Sequence, residues 1–129
     1  GNPSFSSEFE YIQDRCTPTI AFISDDYKVR EIVEEYIKQI KYFWTFGFAD
    51  IVFNFTINNG FNNRGSMVLF DFNEITVHKD QVVLDIKKQK WLKKHSARFH
   101  LNKEQRAYFK KRMGEEVTIQ NLERFWKKN

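Results

Sequence analysis

Cysteine is almost missing from this sequence of 129 residues, in which Cys16 is the single example. One cysteine forms no disulfide within the chain, and it excludes a zinc site built from four cysteines. Because structural disulfides belong to oxidising compartments, their absence favours a reducing environment. We therefore expect an intracellular protein, of either the cytoplasm or the nucleus.

Long apolar runs are also missing. No stretch approaches the roughly 20 apolar residues that a membrane-spanning helix needs, so no membrane span is expected. The opening GNPSFSSEFE lacks the basic start and the apolar core of a secretory leader. Apolar residues make up 41% of the chain and charged residues 29%, which is typical of a folded protein. The length suits a single domain over 1–129, with 1–16 as an extended lead-in.

Motifs for bound cofactors are a third absence. The glycine-containing stretch NNGFNNRG lacks the Lys-Ser/Thr ending of a phosphate-binding loop. The three histidines, His78, His95 and His100, are not spaced as zinc ligands are, and Cys16 has no recognisable catalytic partner. We therefore expect no bound cofactor, and a binding protein rather than an enzyme.

Basic charge is concentrated in one part of the chain. Residues 1–86 contain 7 Lys/Arg and 13 Asp/Glu, whereas residues 87–112 contain 11 Lys/Arg and one acid, Glu104. The net charge is therefore −6 in the first part and +10 in the second, which we call the basic segment. Such asymmetry favours a polyanionic partner, and phosphate backbones are the commonest one. The alternative is that the acidic first part neutralises the basic segment within the molecule.

A long amphipathic helix is the clearest predicted element. It follows a short apolar strand at 17–24, and Ser24, Asp25 and Asp26 offer N-cap oxygens at its start. Apolar residues then recur at three-and-four spacing as far as Trp44, and the helix is expected to end near Gly47. With 14 phenylalanines in the chain, we expect a core rich in aromatic side chains.

Strands are predicted to follow this helix. Alternating apolar residues indicate strands at 49–60, 66–72, 74–78 and 81–88, with a turn at 58–65 in which Asn59-Gly60 is a hairpin signal. Two helices should complete the chain. One starts at a capping box of Asn102 and Gln105 and ends at Gly114, and the other starts at Thr118. The predicted class is α+β: an antiparallel sheet of four to five strands, a long amphipathic helix after the first strand, and two C-terminal helices.

Aromatic side chains are interleaved with the basic residues of the basic segment. Proteins that bind single-stranded nucleic acid combine these two residue types, because cations contact phosphates and rings stack on bases. Trp91, His95, Phe99 and Tyr108 are the candidate stacking residues. We predict a nucleic-acid interface for RNA or single-stranded DNA, formed by Lys87, Lys88, Lys90, Trp91, Lys93, Lys94, Arg98, Lys103, Arg106, Lys110 and Lys111.

A magnesium-dependent nuclease is the first alternative. In a strand over 81–88, Asp85 and Lys87 would share a face, and Asp71 or Asp50 would supply a second carboxylate. Two carboxylates that bind Mg²⁺ beside a lysine that positions water form a known hydrolytic arrangement. The simpler explanation is an exposed strand face. The second alternative is a protein-interaction module of a larger assembly, with an acidic protein as its partner.

Overall fold

The computed structural model describes residues 17–19, 25–55, 59–64, 66–69, 74–93, 96 and 100–128. It confirms the α+β class. The helices are α1 (Asp26–Thr45), α2 (Lys79–Lys87), α3 (Lys103–Glu116) and α4 (Ile119–Phe125), with a 3-10 turn at Lys90–Leu92. The strands are β1 (Thr17–Pro18), β2 (Ala49–Asp50), β3 (Asn59–Phe61), β4 (Met67–Leu69) and β5 (Ile75–Thr76).

The strands form two small antiparallel sheets in the described residues. The prediction of a single sheet of four to five strands was wrong. One sheet has the order β1-β3-β4, and the other pairs β2 with β5. Gly60 is opposite both Pro18 and Val68 in the first sheet, while Ala49 is opposite Thr76 in the second. Each strand is only two or three residues long, so helices supply most of the regular structure.

Helix α1 forms as its sequence predicts. The Asp25 carboxylate accepts a hydrogen bond from the Lys28 backbone N–H at 3.1 Å, which caps the first turn. The helix ends at Thr45, Phe46 is its C-cap, and Gly47 follows with a φ of +83°. Glycine suits that left-handed position because it has no side chain to clash with the backbone.

The core surrounds α1 and is rich in aromatic rings. Tyr36 and Phe55 have ring centroids 4.9 Å apart, and Phe55 and Phe109 are 5.5 Å apart. Helices α3 and α4 pack against α1 on the side that these rings fill. Its largest fully buried aromatic side chains are Trp44, Trp91, Tyr36, Phe55 and Phe109.

Helices α1 and α3 run parallel to each other. Near their N-termini, Gln105 Nε2 donates to Asp26 Oδ1 at 2.7 Å. Near their C-termini, Lys41 Nζ donates to Glu116 Oε1 at 2.7 Å. The contacts therefore follow the same order along both helices. This alignment fixes which residues of α3 face the acidic first part of the chain.

The segment predicted as a strand at 81–88 is instead helix α2. Val82 and Ile86 are buried one helical turn apart, and Asp80 and Lys87 carry charges that suit the two helix ends. A short apolar run is compatible with the two-residue period of a strand and with the 3.6-residue period of a helix. Val82 and Val83 therefore do not distinguish the two structures. The helical spacing of Val82 and Ile86 prevails because both side chains reach the core.

The predicted strand at 49–60 is interrupted. After β2 the Asp50 carboxylate accepts hydrogen bonds from the backbone N–H groups of Val52, at 2.8 Å, and Phe53, at 3.2 Å. These bonds turn the chain, and Phe53 has a left-handed φ of +60°. Phe53 and Phe55 are nevertheless both buried.

The turn between β3 and β4 overlaps the predicted range 58–65, but it does not form at the Asn-Gly signal. Asn59-Gly60 lies within β3, and the turn between β3 and β4 is held by Asn62. The Asn62 side-chain oxygen accepts backbone N–H bonds from Arg64 and Ser66, both at 3.0 Å. An asparagine side chain that bonds to the backbone ahead of it imitates a turn, so it competes with the Asn-Gly signal upstream.

Both C-terminal helices are present. Asn102 and Gln105 form the predicted capping box, and the Thr118 hydroxyl caps α4 by accepting from the Asn121 N–H. Helix α3 does not end at Gly114, because it continues to Glu116. The lead-in at 1–16 and residues 20–24 of the first predicted strand lie outside the described residues. In the part of the chain that the structure covers, no helix is long and apolar enough to cross a membrane.

Candidate functional site

Most described basic residues of the basic segment lie on the molecular surface. Lys87 and Lys88 end α2, and Lys93 follows the 3-10 turn, which packs against α3. The remaining members lie on the outer face of α3. We call the exposed set the basic surface: Lys87, Lys88, Lys93, Lys103, Arg106, Lys110 and Lys111. Lys90 is half-buried, and the predicted residues Lys94 and Arg98 lie outside the described residues.

The basic surface is not neutralised by the described residues of the acidic first part. Within the described residues, none of its seven side chains makes an ion pair with a carboxylate. The helical period places Lys103, Arg106 and Lys110 within one stripe that faces away from α1. Three neighbouring cations on one helix face raise the local positive potential.

Arg112 behaves differently from the rest of the basic segment. Its guanidinium donates two hydrogen bonds to Glu34, from Nε to Oε2 and from Nη2 to Oε1, each at 2.8 Å. The Tyr108 hydroxyl also donates to Glu34 Oε2, at 2.9 Å. The hydrogen bond from Arg112 lowers the pKa of Glu34, although partial burial opposes it. Arg112 is therefore a link between α3 and α1 rather than a free cation.

Trp91 is not available to stack on a base. Its side chain is 1% exposed, and its ring meets the edge of Phe53 at a centroid distance of 5.7 Å. The prediction that placed Trp91 in the interface was wrong, because the 3-10 turn directs the ring into the core. Tyr108 is half-buried beneath the Arg30 guanidinium, which lies 5.2 Å from the ring centroid. His95 and Phe99 lie outside the described residues.

The structure separates the two halves of the predicted Asp-x-Lys site. Asp85 is 3% exposed and accepts a hydrogen bond from Gln81 at 2.8 Å, whereas Lys87 is exposed. Residues two positions apart, such as Asp85 and Lys87, are rotated by about 200° about the helix axis, so their side chains lie on different faces. Asp71 lies outside the described residues. No group of three or more potential metal ligands occurs among the residues that the structure covers.

Asp50 has a structural role that accounts for all of its contacts. The Tyr36 hydroxyl donates to Asp50 Oδ2 at 2.6 Å, in addition to the two backbone bonds that turn the chain. Burial raises the pKa of this carboxyl group. Burial and the neighbouring carboxylate also raise the pKa of Tyr36 well above its usual value. The pair ties α1 to β2, and it directs no free polar atom toward solvent.

A cleft of about 650 Å³ lies between the first half of α1 and the β3–β4 turn. Its lining includes three carboxylates, those of Glu31, Glu34 and Glu35, together with Lys28. Each carboxylate is ion-paired, Glu31 with Lys28, Glu34 with Arg112 and Glu35 with Lys38. The cleft therefore has no excess positive charge for a phosphate backbone, in contrast to the basic surface.

An exposed group of aromatic rings was missed by the sequence interpretation, which assigned the rings of this helix to the core. Tyr42 is 61% exposed and Phe46 is 53% exposed, at the end of α1. Their rings meet edge to face at a centroid distance of 4.9 Å, and Phe46 stacks on Phe48 at 6.3 Å. Phe43 contacts Phe48 at 4.7 Å. We call Tyr42, Phe43, Phe46 and Phe48 the aromatic cluster.

The sequence did contain a signal for this cluster. In KYFWTFGF (41–48) five of the eight residues are aromatic, and a helix cannot direct all of them to one side. Trp44 reaches the core, whereas its neighbours remain at the surface. No protein-family model, curated protein or solved structure matches the chain. Charge and geometry therefore carry the functional assignment.

Proposed function

We propose that this domain binds nucleic acid through phosphate contacts made by the basic surface. The supporting observation is that seven exposed cations make no ion pair within the described residues. Self-neutralisation would instead pair these side chains with the acidic first part, and among the members of the basic segment only Arg112 does so within the described residues. Unpaired cations keep their charge available for a partner.

Phosphate contact is the mode of binding that these residues favour. Lysine and arginine on a helix face bind the backbone without reading base edges, so the interaction should depend weakly on sequence. Counterions released from the nucleic acid make such binding strongly salt-dependent. Because Trp91 is in the core, affinity for RNA or single-stranded DNA needs a stacking surface outside the basic segment or a contribution from its undescribed residues.

The test compares two double variants with equal net charge. Arg106→Gln/Lys110→Gln removes two members of the basic surface, and Arg64→Gln/Lys79→Gln removes two cations outside it. Fluorescence anisotropy with labelled single-stranded and duplex RNA and DNA, each at low and high salt, measures the affinities. We expect the first variant to bind several-fold more weakly than the wild type and the control to bind nearly as well. Equal losses in both variants, or no binding by the wild type at roughly 50 mM salt, would contradict the proposal.

A further inference from the structure

The aromatic cluster lies beside positive charge at the end of α1. Lys127 and Lys128 are exposed, and the Lys127 backbone N–H donates to the Trp44 carbonyl at 2.8 Å. The Lys127 side chain approaches Gly47, since a β-carbon built on that glycine would lie 3.4 Å from it. Lys127 therefore lies against the turn that carries Phe46, and Lys128 is the next residue along the chain.

No acidic side chain belongs to the aromatic cluster, and residues 36–48 contain none. Lys38 precedes Tyr42 by one helical turn, but its ammonium group is paired with the Glu35 carboxylate at 3.2 Å. Among the described residues, Lys127 and Lys128 make no ion pair with a carboxylate. The rings therefore lie beside lysine charge that no carboxylate of the described residues neutralises, which suits an anionic partner with flat apolar parts.

We propose that the aromatic cluster is a stacking platform for the bases of a single-stranded nucleic acid, with Lys127 and Lys128 placed to contact its phosphates. Exposed rings beside cations are the combination by which single strands are bound with little sequence preference. This inference rests on the proposed function. It adds a preference for single strands over duplexes and names the residues responsible for that preference. A duplex keeps its bases stacked internally, so the cluster should contribute to single-strand binding alone.

Contacts between the rings support this role. Tyr42 and Phe48 both pack against Phe46, which limits the freedom of its ring in the absence of a ligand. A ring that is already held loses less conformational entropy when a base stacks on it. Tyr27 provides a contrast at the opposite end of α1. It is 74% exposed, but it follows Asp25 and Asp26, whose charges repel phosphate.

The test replaces exposed rings and measures binding to single-stranded and duplex oligonucleotides of the same sequence. We expect Phe46→Ala and Tyr42→Ala to weaken single-strand binding about tenfold, the effect of losing one stacked base. Duplex binding and the salt dependence should stay unchanged, because the rings carry no charge. Phe46→Trp should restore the affinity, and Tyr27→Ala is the matched control with no expected effect. Circular dichroism establishes that each variant is folded.

A second readout reports stacking itself. The fluorescence of 2-aminopurine in the single strand should change on binding to the wild type, and this change should be lost in Phe46→Ala. Unchanged single-strand affinity in both alanine variants would overturn the inference while leaving the proposed function intact. Equal losses for single strand and duplex would also overturn it, since they indicate a structural role. Binding to anionic lipid vesicles, with no oligonucleotide bound by the wild type, would overturn both proposals.

Discussion

The two faces of α3 are built from the same basic stretch of sequence, yet they have opposite surroundings. On the inner face, Arg112 and Tyr108 share one carboxylate of α1, and Phe109 is fully buried. On the outer face, Lys103, Arg106, Lys110 and Lys111 are exposed. The inner face holds the helix in place, and the outer face leaves its charges free. Mutations on the two faces should therefore change different properties.

The largest effect is expected at the centre of the inner face. Phe109→Ala should lower the free energy of unfolding by about 3–5 kcal/mol, because it removes a ring that packs against Phe55 and leaves a cavity. Urea denaturation measures this change. A loss below about 1 kcal/mol would show that α3 is not anchored through this face.

A smaller effect is expected for the ion pair between α1 and α3. Arg112→Met should cost about 1–2 kcal/mol at neutral pH, since it removes two charge-assisted hydrogen bonds from partly exposed groups. Because Arg112 lowers the pKa of Glu34, the pair stabilises the fold above the usual carboxyl pKa of 4.5. That stability is lost as the pH falls through the lowered pKa.

The pH dependence of unfolding checks this account of Arg112. The stabilities of the wild type and Arg112→Met should converge only as the pH falls from 4.5 through the lowered pKa of Glu34, because Glu34 becomes protonated in the folded wild type there. Lys110→Met is the matched control on the outer face, and its stability should stay within about 0.5 kcal/mol of the wild type. A difference between Arg112→Met and the wild type that stays constant with pH would contradict the ion-pair explanation.

Substitution of Gly114, on the outer face of α3, should change the free energy of unfolding less than Phe109→Ala or Arg112→Met does. The change should also have the opposite sign. A β-carbon at this position would meet no atom within 4 Å, and the backbone is helical. Gly114→Ala should therefore raise the free energy of unfolding by about 0.5–1 kcal/mol, since alanine restricts the unfolded chain and favours helix. A destabilised variant in thermal denaturation would show that the outer face is packed against something at Gly114.

Sequence reasoning succeeded where structure depends on neighbours along the chain. The Asp25 cap, the capping box of Asn102 and Gln105, and the Thr118 cap are local hydrogen bonds, so residue type and spacing were enough to predict them. The end of α1 near Gly47 was predicted for the same reason, because few other residues adopt its φ.

Sequence reasoning failed where tertiary contacts decide the outcome. Val82 and Ile86 fit a strand or a helix, and only their burial selected the helix α2. Asp50 turns the chain out of a strand because its carboxylate is fixed by Tyr36 from another element. Within the basic segment, Arg112 differs from its neighbours solely because the parallel packing of α1 and α3 places Glu34 opposite it. A charge pattern alone does not reveal such pairing.

The salt dependence of duplex binding tests the central claim about the outer face most directly. The measurement compares the slope of log affinity against log salt concentration for the wild type and for Arg106→Gln/Lys110→Gln. If both side chains contact phosphates, the slope of the variant should be smaller in magnitude by about 2, because each lost contact releases about one counterion fewer. Identical slopes for the two proteins would contradict the assignment of the basic surface as the nucleic-acid interface.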